Sequence, residues 1–366
     1  MDISAHRPLL QVSPEWPLSQ LSGALQASLY EAGPALAFGL SDRSKVAAHI
    51  ALVITTSGST GSPKQVAISG SALLASARSA NEYLGAKPGD RWSLLLPIEH
   101  IAAVNVLVRA LELGGTAIDN READSFKPAE FVSIVPTQLH RALNGDHPLL
   151  QHLQGAKAVL VGGAATNSEL ITTAALNGIN VVTTYGMTEM CGGCIYNGEP
   201  LENTEFRILA SGTIQLKGSS MAEGYLNASE LWNSLTSDGW FTTSDLGEIV
   251  DGKLVVLGRN DDQIISGGIK ISISAIEKVA RSCSPNQEFV AFALPDLEWG
   301  QRLALASDRE ISIAEINSAI RSKFGGYAVP KEFHVVDPLP VKGIGKPDRA
   351  RLIELFSVPD SDGSHE

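Results

Sequence analysis

The chain has 366 residues, 44% of them hydrophobic, and a formal net charge of -12 from 28 basic and 40 acidic side chains. A chain of this length outgrows one hydrophobic core, which stops enlarging near ~250–300 residues, so two domains are expected. The acidic balance argues against general nucleic-acid binding or attachment to an anionic membrane surface, and no stretch approaches the ~18 apolar residues of a membrane span.

The first 14 residues lack the apolar run of a leader peptide, and three cysteines in so long a chain fit a reducing compartment rather than a disulfide framework. A cytoplasmic protein is expected.

In chain order, strands are predicted over 51–55 and 65–69, flanking a loop, with a helix over 71–84. Further segments alternate: strand 92–96, helix 100–113, strand 131–135, helix 136–143, strand 158–161, helix 168–176 and strand 181–184. That alternation predicts a mainly parallel sheet with helices on its faces. Over 206–257 the texture changes to short strands with Gly and Asp turns, which predicts an antiparallel or barrel-like subdomain. A polar, Gly-rich stretch follows through Lys270, and then a compact α+β pattern with helices over 275–281 and 313–324 and strands over 289–294 and 333–336. The expected architecture is α/β: a large N-terminal domain of α/β sheet layers with a small β-rich subdomain, over 1–258, followed by a small mobile α+β C-terminal domain, over 259–366. The last ten residues are polar and predicted to fray.

The loop between the first two strands reads Thr56, Ser57, Gly58, Ser59, Thr60, Gly61, Ser62, Pro63, Lys64. Glycines let backbone amides turn toward an anion, hydroxyls add donors and the lysine adds a point charge, so the segment suits a polyphosphate. A Gly/Ser linker shares the composition but rarely follows a buried-strand pattern directly. Gly61 is followed by Ser62, Pro63 and Lys64, so the Gly-Lys-Ser/Thr ending of a Walker loop is absent.

Further constellations follow. Gly162, Gly163 and Ala164 close one predicted strand, and Tyr185, Gly186, Met187, Thr188 and Glu189 close another, where ligands bind open α/β sheets. The glycines admit a flat ring, Tyr185 can stack on it, Thr188 can donate to a phosphate and Glu189 can hold a divalent cation. Turn glycines, a core tyrosine and a capping threonine are the ordinary readings of the same residues. Asp245, and Arg259 at the expected domain edge, suit ribose hydroxyls or a phosphate. Gly268 and Lys270 in a Gly-Gly-Ile-Lys run, and Lys346 in Gly-Lys-Pro-Asp-Arg, complete the series.

Taken in this order, the segments resemble the adenylate-forming superfamily of acyl-CoA synthetases, luciferases and peptide-synthetase adenylation domains, across 51–352. Within it, the run 185–194, the segment Leu96, Pro97, Ile98, Glu99, His100, Ile101 and the ending 341–349 are similar to the o-succinylbenzoate-CoA ligase branch of menaquinone biosynthesis, in its short actinobacterial form. The resemblance implies ATP, Mg²⁺ and CoA as co-substrates and cofactor, an aromatic keto dicarboxylate as acid, no nucleic acid partner and no membrane span, and it leaves a homodimer open. It implies that 57–64 hold the departing pyrophosphate, that Thr188 meets the α-phosphate and Glu189 the Mg²⁺. It assigns Asp245 and Arg259 to the ribose, Tyr185 with 162–164 to the adenine, and Lys346 to a bridge between α-phosphate and attacking carboxylate. Asp261 matches the hinge, and Gly268 with Lys270 the face presented to CoA. Acyl-site candidates are His100, Asn105, Arg109, Gly192 and Gly193. Arg109 either meets the second carboxylate of the acid or pairs with Glu112 on the surface. Cys191 and Cys194 are read as small residues lining the acyl pocket, since one Cys-x-x-Cys without a second pair is a weak metal signal. Another acyl-CoA synthetase, a carrier-loading adenylation domain and an inactive nucleotide-binding regulator remain as alternatives.

Overall fold

A computed structural model describes residues 5–56, 63–122, 125–164, 166, 168–260, 263–266, 269–285, 287–296, 299–342 and 346–357; of Gln263, Ile265, Ile269, Lys270, Lys342 and Lys346 it describes the backbone alone. Contacts group these residues into two compact units, one from Met1–Thr243 and Ile249–Val255, the other from Ser244–Glu248 and Val256–Glu366. The tail expected to fray, beyond residue 357, lies outside the described residues.

The first unit begins with β1 (His6–Gln11), α1 (Leu18–Tyr30), β2 (Ala35–Phe38), β3 (Lys45–Ala47), β4 (Ile50–Thr56) and β5 (Lys64–Ser69). Strands β1, β2 and β4 pair in parallel, and β5 turns back antiparallel on β4, with Thr56 opposite Lys64. Ile50 to Ile54 are all buried, as a strand covered on both faces requires. Ser69 then accepts from the Ala72 amide and starts α2 (Gly70–Tyr83).

The second sheet holds β6 (Trp92–Leu94), β7 (Ile118–Asp119), β8 (Phe131–Ile134), β9 (Ala158–Val161), β10 (Val181–Met187), β11 (Gly192–Tyr196) and β12 (Glu199–Pro200), in the order β12-β11-β10-β9-β8-β6-β7. It is parallel from β7 to β10 and antiparallel at β11 and β12. The intervening helices are α3 (Ile101–Glu112), α4 (Pro136–Leu143), α5 (His147–Gln154) and α6 (Ser168–Leu176). The strand expected to end at residue 184 runs on to Met187, because β11 returns beside it and satisfies its backbone groups, with a register shift between Tyr185 and Gly186. A Cβ at Gly186 would collide with the Gly192 carbonyl, so only glycine fits that crossing.

Behind this sheet, His152 on α5 is 8% exposed, hydrogen-bonded to Ser93 Oγ at 2.9 Å and stacked on Phe126. Burial lowers its pKa below the ordinary 6.5. Protonation therefore favours the unfolded chain: this contribution to stability is complete above the ordinary value and is lost as pH falls through the lowered one. Denaturant midpoints should drop between pH 7.5 and 5, and the drop should be shallower in His152→Gln; an identical pH slope would remove His152 as its source.

The third sheet comprises β13 (Thr204–Ile208), β14 (Thr213–Gly218), β16 (Thr236–Ser237), β17 (Trp240–Val250) and β18 (Lys253–Arg259). One short strand between them, β15 (Gly224–Tyr225), leaves this subdomain and pairs antiparallel with β5 in the first sheet, after which α7 (Ser229–Leu235) leads back. The antiparallel subdomain expected over 206–257 is this sheet, except that β15 within that range belongs to the first sheet.

In the second unit, β19 (Gln263–Ser266) and β20 (Ile269–Ser272) form a hairpin that leads into α8 (Ile273–Cys283). The sheet of β21 (Phe289–Asp296), β22 (Gly300–Ser307) and β23 (Glu332–Val335) follows with α9 (Ile313–Phe324). A short hairpin of β24 (Val341–Lys342) and β25 (Lys346–Pro347) then precedes α10 (Arg349–Phe356), which Asp348 caps through the Arg351 amide. Ile276, Val279, Ala280, Phe289, Leu303, Leu305, Ile316 and Ile320 belong to its main core.

Candidate active site

In the first unit, the ends of β9 and β10 bring two candidate groups together. Thr183 pairs with Val161, so Gly162, Gly163 and Ala164 leave β9 beside Tyr185. A Cβ at Gly162 would strike Thr184 Oγ1, which makes glycine necessary to the strand packing itself. Thr188 and Glu189 sit on a one-turn 3₁₀ helix that follows β10 directly.

Ser57, Gly58, Ser59, Thr60 and Gly61 lie outside the described residues, as do Asp261 and Gly268. The loop's two ends are described. Thr56 Oγ1 donates to the Lys64 carbonyl at 3.4 Å, and the Lys64 ammonium lies 5.2 Å from the centre of the Tyr225 ring. The Tyr225 hydroxyl donates to Glu189 Oε1 at 2.7 Å. Tyr225 thus touches one candidate from the loop and one from the turn after β10, although no motif singles it out. Around it, Asn227 donates to the Pro63 carbonyl at 2.8 Å and accepts the Gln65 amide at 2.9 Å, and the Ala222 amide donates to the Glu189 carbonyl at 2.8 Å.

The acyl-site candidates gather between α3 and β11. Asn105 Nδ2 donates to the Cys191 carbonyl, which also accepts from Ser76 Oγ at 3.2 Å. A Cβ on Gly192 would meet the Asn105 amide, and Gly192 holds φ +94°, so this crossing needs glycine on two counts. One helical turn on, Arg109 is 3% exposed; its Nη2 donates to Tyr196 Oη at 2.9 Å and its guanidinium lies 5.0 Å from the Trp92 ring centre. Asn105 Oδ1 and Arg109 Nε are buried without a hydrogen-bond partner among the described residues.

The pairing of Arg109 with Glu112 does not occur. Glu112 takes Arg78 from α2 and Tyr30 from α1, while Arg109 points into the interior. Among the described residues no carboxylate pairs with Arg109, so a delocalised cation is buried on an aromatic face and one phenol. His100 precedes α3 at its N-cap and makes no capping bond through its side chain.

Cys191 and Cys194 are both buried and free. Burial pushes the Cys194 thiol up to about 12 and raises that of Cys191 as well, so neither supplies a thiolate at neutral pH. Cys194 packs in a cluster with Met190, Ile195, Ile214, Leu216 and Leu254. Among the described residues no cluster of three His, Cys, Asp or Glu side chains could cage a metal. Magnesium is ordinarily held by one or two carboxylates together with substrate phosphates, and the single carboxylate of Glu189 fits that donor set.

In the second unit, Arg259 Nη1 lies 3.5 Å from Asp245 Oδ1, and the Asn260 amide donates to the Ser244 carbonyl at 2.7 Å. The carboxylate and guanidinium expected at a ribose therefore neighbour each other. The backbone of Lys346 opens β25, opposite Lys342, and Lys270 stands opposite Ile265 in the β19–β20 hairpin.

Residues 13–226 match the family described as AMP-binding enzyme. The chain is 36% identical over 329 residues to a probable 2-succinylbenzoate–CoA ligase of Mycobacterium tuberculosis, covering 84% of this chain and 85% of that protein. It is 30% identical to a 2-succinylbenzoate–CoA ligase of Staphylococcus epidermidis, over 83% of this chain and 69% of that one. Among solved structures, wild-type E. coli MenE with a bound phenylether-linked analogue of OSB-AMS superposes with a TM-score of 0.67 at 26% identity, covering 94% of this chain and 81% of that chain. The o-succinylbenzoate CoA synthetase of Bacillus subtilis in complex with OSB-AMP gives a TM-score of 0.73 at 24% identity over 97% and 79%, a likeness of fold.

Proposed function

Because the chain belongs to the AMP-binding enzyme family, we propose that it adenylates the carboxylate of 2-succinylbenzoate with ATP and passes the acyl group to CoA, in menaquinone biosynthesis. A carboxylate is a poor acyl donor because its leaving group is oxide. Attack of its oxygen on the α-phosphate of ATP expels pyrophosphate and creates an acyl-adenylate, whose leaving group is AMP; the CoA thiol then attacks the acyl carbon, loses its proton and displaces AMP. Both ATP and CoA are held in the cytoplasm, which is where this reading puts the reaction.

The observation that carries the choice of acid is Arg109. A buried cation with no carboxylate of its own is costly unless a ligand completes it, and the second carboxylate of 2-succinylbenzoate supplies the missing charge. Asn105, on the same face of α3, and the Gly192-Gly193 backbone form the wall beside it, with His100 at the helix entrance.

Charge accumulates on phosphate oxygens in the first step, so the residues act by positioning and electrostatics. In this reading 56–64 grip the departing pyrophosphate, Thr188 donates to the α-phosphate, and Tyr185 with Gly162, Gly163, Ala164 and Gly186 forms the adenine site. Asp245 accepts from the ribose hydroxyls, with Arg259 beside it. Glu189 would hold Mg²⁺, which neutralises charge on the phosphates when bound. Lys346 bridges α-phosphate and carboxylate. Domain 1–258 binds ATP and acid, domain 259–366 acts as the lid, Asp261 is its hinge, and Gly268 with Lys270 faces CoA.

The test is a panel of acids with ATP and CoA, read by thioester mass. 2-Succinylbenzoyl-CoA should dominate; a different thioester would reassign the acid, and loading of a holo-carrier in place of CoA would reassign the acceptor. Arg109→Met keeps the apolar stem and removes the charge, and should raise the KM for the dicarboxylate ~10–100-fold, the range of hydrogen bonds to charged groups. An equal rise for a monocarboxylate analogue would show that Arg109 serves only packing.

A further inference from the structure

We propose that Tyr225 is a positioning residue for release of pyrophosphate: its hydroxyl orients Glu189 while its ring face holds Lys64, so one side chain sets the metal-binding carboxylate and the phosphate-loop cation in register. The proposal rests on the reading above, in which Glu189 takes the metal and Lys64 the leaving phosphates.

Two opposite charges this close to one tyrosine would otherwise neutralise each other. Among the described residues Lys64 and Glu189 make no ion pair with each other; the ammonium lies 5.2 Å from the ring centre and the carboxylate accepts the hydroxyl at 2.7 Å. A cation on an aromatic face keeps most of its charge available. A carboxylate that accepts one hydroxyl on Oε1 is held on that side, and its second oxygen can still accept from or bind a ligand.

The tyrosine is itself immobilised on three sides. Its backbone is strand: Tyr225 pairs with Val66 and Gly224 with Ala67, and the Leu226 amide donates to the Gln65 carbonyl at 2.9 Å. Its ring meets Trp232 edge to face, with centres 5.1 Å apart. Asn227 clasps the loop exit at Pro63 and Gln65, and Ala222 holds the Glu189 carbonyl. The segment 222–227 therefore fixes both partners through backbone as well as through Tyr225.

The test uses the full chain and calorimetry, so it does not depend on the identity of the acid. Tyr225→Phe keeps the ring, the Trp232 contact and the Lys64 contact and removes one hydrogen bond to a charged group. ATP binding in MgCl₂ should weaken ~10-fold, while AMP binding without metal stays unchanged. Glu189→Gln, measured in parallel, should weaken ATP binding in MgCl₂ and likewise spare AMP. Equal loss of AMP and ATP binding in Tyr225→Phe would reduce the tyrosine to a part of the scaffold and overturn the proposal. Unchanged ATP binding in Tyr225→Phe beside a weakened Glu189→Gln would overturn it too, leaving Glu189 as the metal ligand without help. If Glu189→Gln itself has no effect on binding in MgCl₂, the metal assignment fails and the tyrosine's role falls with it.

Discussion

Lys346→Ala should abolish formation of the acyl-adenylate, by ~10²–10³-fold or more in carboxylate-dependent ATP/pyrophosphate exchange, and leave attack of CoA on supplied acyl-adenylate close to the parent rate. The first half-reaction brings an anionic carboxylate against an anionic phosphate, and a point charge between them counts most when the bond is half formed. The second half-reaction starts from a neutral acyl carbon and expels AMP, and its thiol needs the space the lysine held. The lysine stands at the start of β25, in a hairpin whose exit is secured by the Asp348 amide on the Pro340 carbonyl at 2.8 Å and by the Asp348 cap on α10. Those anchors are backbone and Asp348, so the alanine variant should keep its melting temperature. Comparable losses in both half-reactions would remove Lys346 from its proposed role.

What the sequence made legible was chemistry that demands particular residue types in a row. The hydroxyl and glycine run at 56–64 and the Tyr185–Glu189 run stand out because few structural tasks need them, and α/β alternation located the strands that carry them. Tyr225 left no such trace. It lies in a two-residue strand whose partner, β5, is far back in the chain, and a Gly-Tyr pair inside a stretch of short strands carries no periodicity that names its sheet.

Arg109 was ambiguous for a different reason. Almost every position of α3 from Ile101 to Ala110 is buried, so the helix has no polar face from which to infer that an arginine is exposed. Its neighbour Glu112, at the helix end, is claimed by α1 and α2, contacts that i+3 spacing cannot anticipate. The paired cysteines follow the same rule: their spacing suggests chemistry, but both are buried, and Cys194 packs among apolar neighbours as a small hydrophobic residue.

In the second unit, Glu277→Ala should be strongly destabilising, by ~1.5–3 kcal/mol, the range of hydrogen bonds to a charged group. Glu277 is 5% exposed on α8 and accepts three donors: the Ala291 amide at 3.0 Å, Arg349 Nη2 at 2.7 Å and Arg281 Nη2 at 3.5 Å. Arg349 Nε returns to the Ala291 carbonyl at 2.9 Å, which closes a ring joining α8, β21 and α10. Alanine would remove the acceptor that the Ala291 amide and the Arg349 guanidinium share, and because the Arg349 side chain is 26% exposed the loss should be partly screened by salt. Glu277→Gln retains an acceptor for the Ala291 amide and should cost less. Replacing Glu277 and Arg349 together by leucines removes both charges and should recover part of the loss, since apolar groups of similar volume often equal a buried pair. Denaturant unfolding of the three variants decides the matter: a Glu277→Ala midpoint within ~1 kcal/mol of the parent would mean that solvent reaches the pair and that it does not hold α10, and with it the adjoining Lys346 hairpin, to the unit.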